Sequence, residues 1–244
     1  MIVKTEAIVL HTLKYGERKM IVEMFTRQQG RLSFVMTMSK TGRGSLKKQY
    51  FQPMTLLEIT FDMRQRVQLQ QLTDARLLVP YTTLPLSAEK LAITLFVAEF
   101  LYYALRSEQR NEPLFDYIAD SMQWLDAAEE GFANFHLTFL MRLSRFLGFY
   151  PNMETEGISD VVFDLREGRF SVTVPMHPDF LPPVEAQLVL LLMRMDFPTM
   201  HLFRLSRTDR QRILEVLMRY YKSHLPDFHE LKSLAVLEKL WDGG

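Results

Sequence analysis

The feature that most constrains the fold is a series of short apolar segments in the first 80 residues, separated by turn-forming residues. Residues 31–38, RLSFVMTM, alternate cleanly, with Leu32, Phe34 and Met36 on one face. Side chains of a β-strand point alternately to opposite faces, so this pattern predicts a strand with one buried face. Four more strands are predicted at 6–13, 20–26, 54–61 and 67–79. Five strands in about 80 residues favour a small closed barrel such as an OB-fold, since a two-sheet sandwich usually needs more strands.

A second type of pattern begins after Pro80 and Pro85, which mark the expected boundary between domains at 1–80 and 81–244. Helical periodicity follows, with Ser87 and Ser206 as N-caps. Helices are predicted at 87–106, 112–130, 132–148, 184–195, 207–225 and 228–241, and a β-hairpin at 161–174. The predicted fold is therefore α+β: an N-terminal five-stranded OB-fold barrel followed by a mostly α-helical C-terminal domain with a small β-hairpin insertion at about 152–180.

Charge is divided unevenly between these two parts, although the whole chain has a net charge of zero. Residues 1–80 hold 6 Lys and 7 Arg against 6 acidic residues, a net charge of +7, and the remainder has a net charge of −7. No acidic residue occurs between Glu23 and Glu58. Such a local positive field attracts a polyanion. The cations of this stretch that are expected to bind such a polyanion are Arg27, Arg31, Lys40, Arg43, Lys47 and Lys48.

The segment from Ser39 to Lys48 combines two glycines with four of these cations. Mobile positive charge of this kind suits a phosphate backbone, although a solvated loop without a partner has the same composition. Exposed aromatic rings would add a stacking surface for bases. Tyr15 and Tyr50 flank loops and are the candidates, whereas Phe34 shares the apolar face of its strand and is expected in the core.

Residue patterns typical of enzymes are missing from the sequence. The chain has no cysteine, its six histidines do not form an HExxH motif, and no GxSxG segment occurs. We therefore expect no catalytic residue, no metal and no cofactor. An enzyme that acts on DNA, such as a nuclease or a glycosylase, would need a carboxylate cluster or a base-sized pocket beside the basic loop. The absence of cysteine, of a signal peptide and of a long uncharged apolar run favours the cytoplasm.

Several short segments, in this order and spacing, resemble the RecO family of bacterial DNA repair and recombination mediators. They are Thr5–Leu10, Tyr15-Gly16-Glu17, Phe25-Thr26 with Gly30, Phe51-Gln52-Pro53, Arg142–Pro151, and His224-Leu225 with Leu231–Leu234. The chain departs from the family in two places. Residues 152–180 contain no cysteine, whereas many RecO proteins have a four-cysteine zinc module there, and Arg18-Lys19 follows the tight turn in place of an acidic residue. The hairpin is expected to replace the zinc module and to be held by packing alone.

The resemblance implies a function without bond chemistry. RecO-like proteins bind single- and double-stranded DNA, anneal complementary strands and, with RecR, help load RecA onto strands coated by single-strand binding protein (SSB). It also implies a bacterial, nucleoid-associated location. Another OB-fold nucleic-acid-binding protein, with RNA as its ligand, remains the main alternative.

The resemblance further implies that the helical domain binds the acidic C-terminal tail of SSB, which would need an apolar pocket with a cation at its rim. The expected residues are Arg142, Arg145, Phe139 and Phe146. Arg212 and Arg219 form a second candidate pair. For either pair, the alternative is simple pairing with local acidic residues such as Glu215.

Overall fold

The structure is a computed structural model and describes residues 1–37, 46–153 and 160–240, with side chains as far as Leu237. Contacts group the chain into two compact units. The barrel unit consists of Met1–Ala127 and the segment from Glu230 onward, and the helical unit consists of Ala128–His229. The division at residue 80 that the sequence suggests stays a prediction about separately folding parts.

A closed five-stranded barrel forms the first part of the barrel unit, as the alternation pattern predicts. Its strands are β1 (Ile2–Tyr15), β2 (Lys19–Thr26), β3 (Gly30–Thr37), β4 (Leu56–Asp62) and β5 (Leu69–Leu77). The strand order is β1-β2-β3-β5-β4, and β4 pairs with β1 to close the barrel. Neighbouring strands of the barrel are antiparallel, except that β3 and β5 pair in parallel. The expected α+β architecture with an OB-type barrel is confirmed.

The barrel core is filled by the inward-facing residues of every strand. Val22, Met24, Phe34 and Phe61 are fully buried, and the rings of Phe34 and Phe61 meet edge to face with centroids 5.0 Å apart. Phe34 is thus a core residue, as its position on the apolar face predicts. A bulge in β1 between Val9 and His11 bends that strand. The first half of β1 pairs with β4, whereas its second half pairs with β2.

Three helices complete the barrel unit: α1 (Ala88–Ala104), α2 (Glu112–Ala127) and, from the end of the chain, α6 (Lys232–Leu240). Ser87 caps α1 by accepting a hydrogen bond from the Lys90 backbone N–H at 3.3 Å, as predicted. The Glu99 carboxylate of α1 accepts hydrogen bonds from the backbone N–H groups of Lys232 and Ser233, at 3.1 and 2.7 Å. A side chain of the first helix therefore caps the last one.

Gly30 is required where β3 begins beside the segment that follows α1. Its φ is +72°, and a Cβ placed there would lie 2.5 Å from the backbone carbon of Gln109. The neighbouring Arg31 N–H donates to the Glu108 carbonyl at 3.2 Å. Only a residue without a side chain fits this close approach between strand and loop.

The helical unit contains α3 (Phe135–Phe146), α4 (Pro183–Met193) and α5 (Arg207–His224), together with a three-stranded sheet. The sheet consists of β6 (Val162–Asp164), β7 (Arg169–Ser171) and β8 (Phe180–Leu181). The first two form the predicted hairpin, and the short third strand was not predicted. Ser206, the predicted N-cap of α5, forms a complete capping box with Asp209.

Polar contacts, in addition to packing, hold this small sheet, so the expectation of packing alone is wrong. The buried Asp164 carboxylate accepts hydrogen bonds from the backbone N–H groups of Arg166 and Glu167 in the turn, at 2.9 and 3.1 Å. Its second oxygen lies 3.2 Å from Nε2 of His177. Arg166 forms an ion pair with Asp179 across the same turn. These contacts tie the hairpin to the chain that leads into β8.

Candidate nucleic-acid interface

Strand register defines the outer face of the barrel over β1, β2 and β3. Tyr15 pairs with Lys19, and Lys19 with Thr37; in the next outward row Leu13 pairs with Ile21 and Ile21 with Val35. Between these rows Met20 and Met36 point into the core, whereas Lys14 at the end of β1 is exposed. Tyr15 and Leu13 are 56% and 54% exposed. We call the face formed by Leu13, Tyr15, Lys19, Ile21, Val35 and Thr37 the open face.

The opposite end of the same sheet is covered by α1. The ring of Tyr102 lies 4.8 Å from that of His11 and 4.6 Å from the Arg31 guanidinium carbon. His11 and Glu23 belong to the row directly below Leu13 and Ile21. The helix therefore covers one part of the outer sheet and leaves the open face to solvent. In OB-folds, strands 2 and 3 and the loop between the first two strands bind oligonucleotides on this side.

Arg31, one of the expected DNA-binding residues, is held in the covered part of the sheet. Its side chain is only 10% exposed, its Nε lies 3.3 Å from a Glu23 oxygen, and its guanidinium donates to the Tyr102 carbonyl. The Ser33 hydroxyl donates to the other Glu23 oxygen at 2.7 Å. Arg31 thus already has hydrogen-bond partners within the barrel unit.

Arg27 is surrounded by carboxylates that are distant in sequence. Its guanidinium forms ion pairs with Glu6, Glu112 and Asp116, the first at 2.8 Å and the second at 3.9 Å. It also lies over the Phe115 ring, 5.2 Å from the centroid. The positive field expected from the sequence at this position is therefore cancelled locally.

Lys47 and Lys48 differ from the two arginines because both are exposed and neither forms an ion pair with a residue that the structure describes. Lys47 lies 5.6 Å from the centre of the Tyr50 ring. Residues 48–51 form a 3₁₀ turn that places Phe51 in the barrel core. Lys40 and Arg43 lie outside the described residues. Of the two tyrosines, Tyr15 is exposed, whereas Tyr50 is half-buried against the core.

Strand register adds one cation that the search for an acid-free stretch missed. Lys19 follows Glu17 in sequence, yet the pairing places it between Tyr15 and Thr37, the last residue of β3 before the basic segment. Lys19 forms no ion pair within the described part of the chain. The available signal was the period-two pattern of β2, which puts Lys19 on the same face as Ile21.

The residues expected to bind an acidic tail lie in the helical unit. Phe139 is fully buried and stacks on Phe135, whereas Phe146 is half-buried. The Arg142 guanidinium donates two hydrogen bonds to the Met195 carbonyl beyond the end of α4, at 3.0 and 2.8 Å. Arg145 is exposed, and its guanidinium carbon lies 4.5 Å from the centre of the Tyr150 ring.

The second candidate pair for the tail binds acidic residues of its own unit. Arg212 forms ion pairs with Glu185 and with Glu215, the latter at 3.0 Å, and Arg219 lies 3.6 Å from Glu185.

Within residues 1–37, 46–153 and 160–240, no group of three or more His, Asp or Glu side chains could hold a metal ion. No helix in these ranges is both long enough and apolar enough to cross a membrane.

The amino-acid sequence matches one protein family over nearly its whole length. Residues 1–81 match the model described as Recombination protein O N terminal, and residues 86–235 match Recombination protein O C terminal. The chain belongs to the RecO family. It is 47% identical over 243 residues to a DNA repair protein RecO of Bacteroides fragilis and 46% identical to that of Phocaeicola vulgatus; each match covers 99% of this chain and 100% of the relative. The corresponding protein of Porphyromonas gingivalis is 36% identical over 246 residues, with the same coverage. The family assignment gives the chain a role in DNA repair.

Proposed function

We propose that the chain is a DNA-binding recombination mediator that acts through the open face and the adjoining basic segment. The observation that carries the proposal is the placement of exposed Tyr15 beside Lys19 on an OB-type sheet face that α1 leaves uncovered. An aromatic ring beside a cation suits a base stacked next to its phosphate. Lys47 and Lys48, together with Lys40 and Arg43 of the same basic segment, would neutralise phosphates of the backbone.

Neutralising phosphate charge is also what annealing requires. Two complementary strands repel each other until cations screen their backbones, and a basic surface that holds strands loosely allows bases to pair. On this proposal the chain anneals strands and, with RecR, helps load RecA onto DNA coated by SSB. Arg27 and Arg31 stabilise the barrel unit in this scheme, since carboxylates and a carbonyl already hold their guanidinium groups.

Fluorescence anisotropy with labelled single strands at several salt concentrations tests the binding site. Lys47→Ala/Lys48→Ala should reduce the slope of log affinity against log salt by about 0.7 for each phosphate that the protein no longer neutralises. Adding Lys40→Ala and Arg43→Ala should reduce it further. Arg194→Ala/Arg204→Ala, which removes two exposed cations of the helical unit, is the control. Equal affinity and slope in all variants would place DNA elsewhere.

Separate assays address the alternatives. Competition among single-stranded DNA, duplex DNA and RNA distinguishes a recombination mediator from an RNA-binding OB-fold. Incubation with labelled DNA and Mg²⁺ tests for a nuclease, which would shorten the strand. Annealing of complementary strands, with and without SSB and RecR, tests the mediator function itself, and failure to accelerate annealing would contradict it.

We infer that Arg145, rather than Arg142, is the cation available to an acidic SSB tail in the helical unit. Arg142 is satisfied by the Met195 carbonyl, whereas Arg145 is exposed beside Tyr150. A labelled tail peptide should bind wild type and have lower affinity for Arg145→Ala. Arg142→Ala should lower thermal stability instead. Unchanged peptide affinity in Arg145→Ala would mean that the tail binds at another site. If wild type did not bind the peptide, the hypothesis of a tail-binding site would be wrong.

A further inference from the structure

A cavity of about 330 Å³ lies within the barrel unit, between the 3₁₀ turn at 48–51, the end of β5 and the first half of α1. Tyr50 and Tyr81 provide aromatic walls, and Leu77, Leu91 and Leu95 provide apolar ones. The three leucines remain 38–41% exposed at this mouth. Apolar side chains grouped around an open cavity indicate contact with another molecule.

The wall between β5 and α1 is fixed before any ligand arrives. Backbone N–H groups of Thr82, Thr83 and Leu84 donate to the Asp126 carboxylate at 2.8–3.0 Å. Partial burial alone would raise the pKa of this carboxyl, but the backbone hydrogen bonds hold it below its ordinary value. The Lys90 ammonium donates to the Asp126 carbonyl at 3.0 Å. Tyr81 and Leu84, which line the cavity, are therefore held in place by α2.

Positive charge beside Tyr50, which lines the cavity, indicates the kind of ligand. Lys47 lies 5.6 Å from the Tyr50 ring centre, Lys48 is the next residue, and neither pairs with an acidic group among the residues described. The described lining contains no Asp, Glu, His or Lys, and its ionisable side chains are Tyr50 and Tyr81. The amides of Gln49 and Gln52 supply polar atoms. An aromatic and apolar cavity with cations outside it and amides at hand matches a nucleotide, with its base inside and its phosphate at the lysines.

We propose that this cavity holds one nucleobase of a single DNA strand, turned out of the stack, while Lys47 and Lys48 hold the neighbouring phosphates. The proposal rests on the proposed DNA-binding function and names its preferred ligand as the single strand. Bases of a duplex are paired and stacked, and extracting one costs free energy. The cavity therefore acts on single strands only, and a base must leave it before pairing with a complementary strand.

An oligonucleotide of abasic sugar–phosphate units provides the direct test, because it keeps the phosphates and lacks the bases. Wild type should bind an oligothymidine of equal length more tightly, by about fivefold to a hundredfold for one base. Leu91→Trp fills the mouth and Tyr50→Ala removes a wall, and both should abolish most of this preference. Duplex affinity and the salt slope should stay unchanged in Leu91→Trp. Leu86→Trp, at an exposed site outside the lining, is the matched control.

The outcomes separate the cavity from the rest of the interface. Stacking on Tyr15 also favours base-bearing strands, so the comparison between variants decides the matter. If folded Leu91→Trp and Tyr50→Ala keep the full wild-type preference, the cavity does not bind a base, and an apolar peptide becomes the better occupant. If wild type binds neither oligonucleotide, the proposed function itself fails.

Discussion

Arg31 is held from three sides within the barrel unit. Glu23 neutralises it, the Tyr102 carbonyl accepts its hydrogen bond and the Tyr102 ring covers it. A guanidinium in this position cannot turn toward a phosphate without leaving a half-buried carboxylate unpaired. We therefore propose that Arg31 contributes to stability rather than to DNA binding, although its sequence context is that of a DNA-binding residue.

Replacing Arg31 with Ala should lower the free energy of unfolding by about 2–3 kcal/mol, because the substitution removes one partner of a partly buried, hydrogen-bonded charge pair. The salt dependence of DNA binding should not change. Lys47→Ala is the matched control: it should reduce the salt dependence of DNA binding and alter the free energy of unfolding by less than about 0.5 kcal/mol. Urea unfolding and anisotropy titrations measure the two effects. A reduced salt slope in folded Arg31→Ala would contradict the assignment.

His136 makes the helical unit sensitive to acid. Burial, together with the charge of Arg210, lowers the pKa of His136 to about 3 from an ordinary value of 6.5. Below about pH 6.5 the unfolded chain binds a proton at this side chain and the folded chain does not. The free energy of unfolding should therefore fall as the pH drops toward 3, by about 1.4 kcal/mol per pH unit from this group.

Urea unfolding of wild type and His136→Leu at pH 7.0 and 5.0 measures this contribution. The variant should be destabilised less by acidification, whereas His229→Leu, an exposed control, should behave like wild type. Burial also lowers the pKa of His224, so part of the pH dependence should remain in His136→Leu. Identical acid sensitivity in wild type and His136→Leu would show that another group is responsible.

Among the secondary-structure elements, the hairpin of β1 and β2 has the clearest functional consequence. It carries Tyr15 and Lys19 to the edge of the open face. Tyr15→Ala should weaken single-strand binding by about 1–3 kcal/mol, because the substitution removes one stacking surface. Tyr15→Phe retains the ring and should bind nearly as wild type does. If Tyr15→Phe binds as weakly as Tyr15→Ala, the hydroxyl rather than stacking is the important group.

The elements also show where sequence patterns suffice. All five barrel strands are predicted from the sequence, β3 from its clean alternation of period two and β1 from its apolar, β-branched run. The strand β8 is not predicted, because two residues are too few to show a periodic pattern of apolar residues. The separate environments of Arg27 and Lys47 were also unpredictable. The environment of Arg27 depends on Glu112 and Asp116, which reach the barrel only through the packing of α2, whereas Lys47 has no acidic partner among the described residues.

For the whole molecule, the two compact units are interleaved in sequence. In sequence, the helical unit separates α2 from α6. Helix α6 packs against α1: its Leu237 is fully buried, and the Glu99 carboxylate of α1 caps its N-terminus. Truncation of the chain after His229 should therefore destabilise the barrel unit, although every removed residue lies far from the barrel strands in sequence. Thermal unfolding should show a lower midpoint for the barrel unit, and added α6 peptide should partly restore it. An unchanged midpoint would mean that α6 contributes no stability.

The return of α6 also determines when a growing polypeptide completes its nucleic-acid-binding part. Domains generally fold as the ribosome releases them, beginning with the N-terminal one. Here the barrel strands emerge first, but the helix that Glu99 caps is translated after the whole helical unit. A chain stalled at any earlier codon lacks that helix. Interrupted synthesis therefore yields a barrel unit of reduced stability, which favours its removal by proteases over competition with full-length copies for DNA.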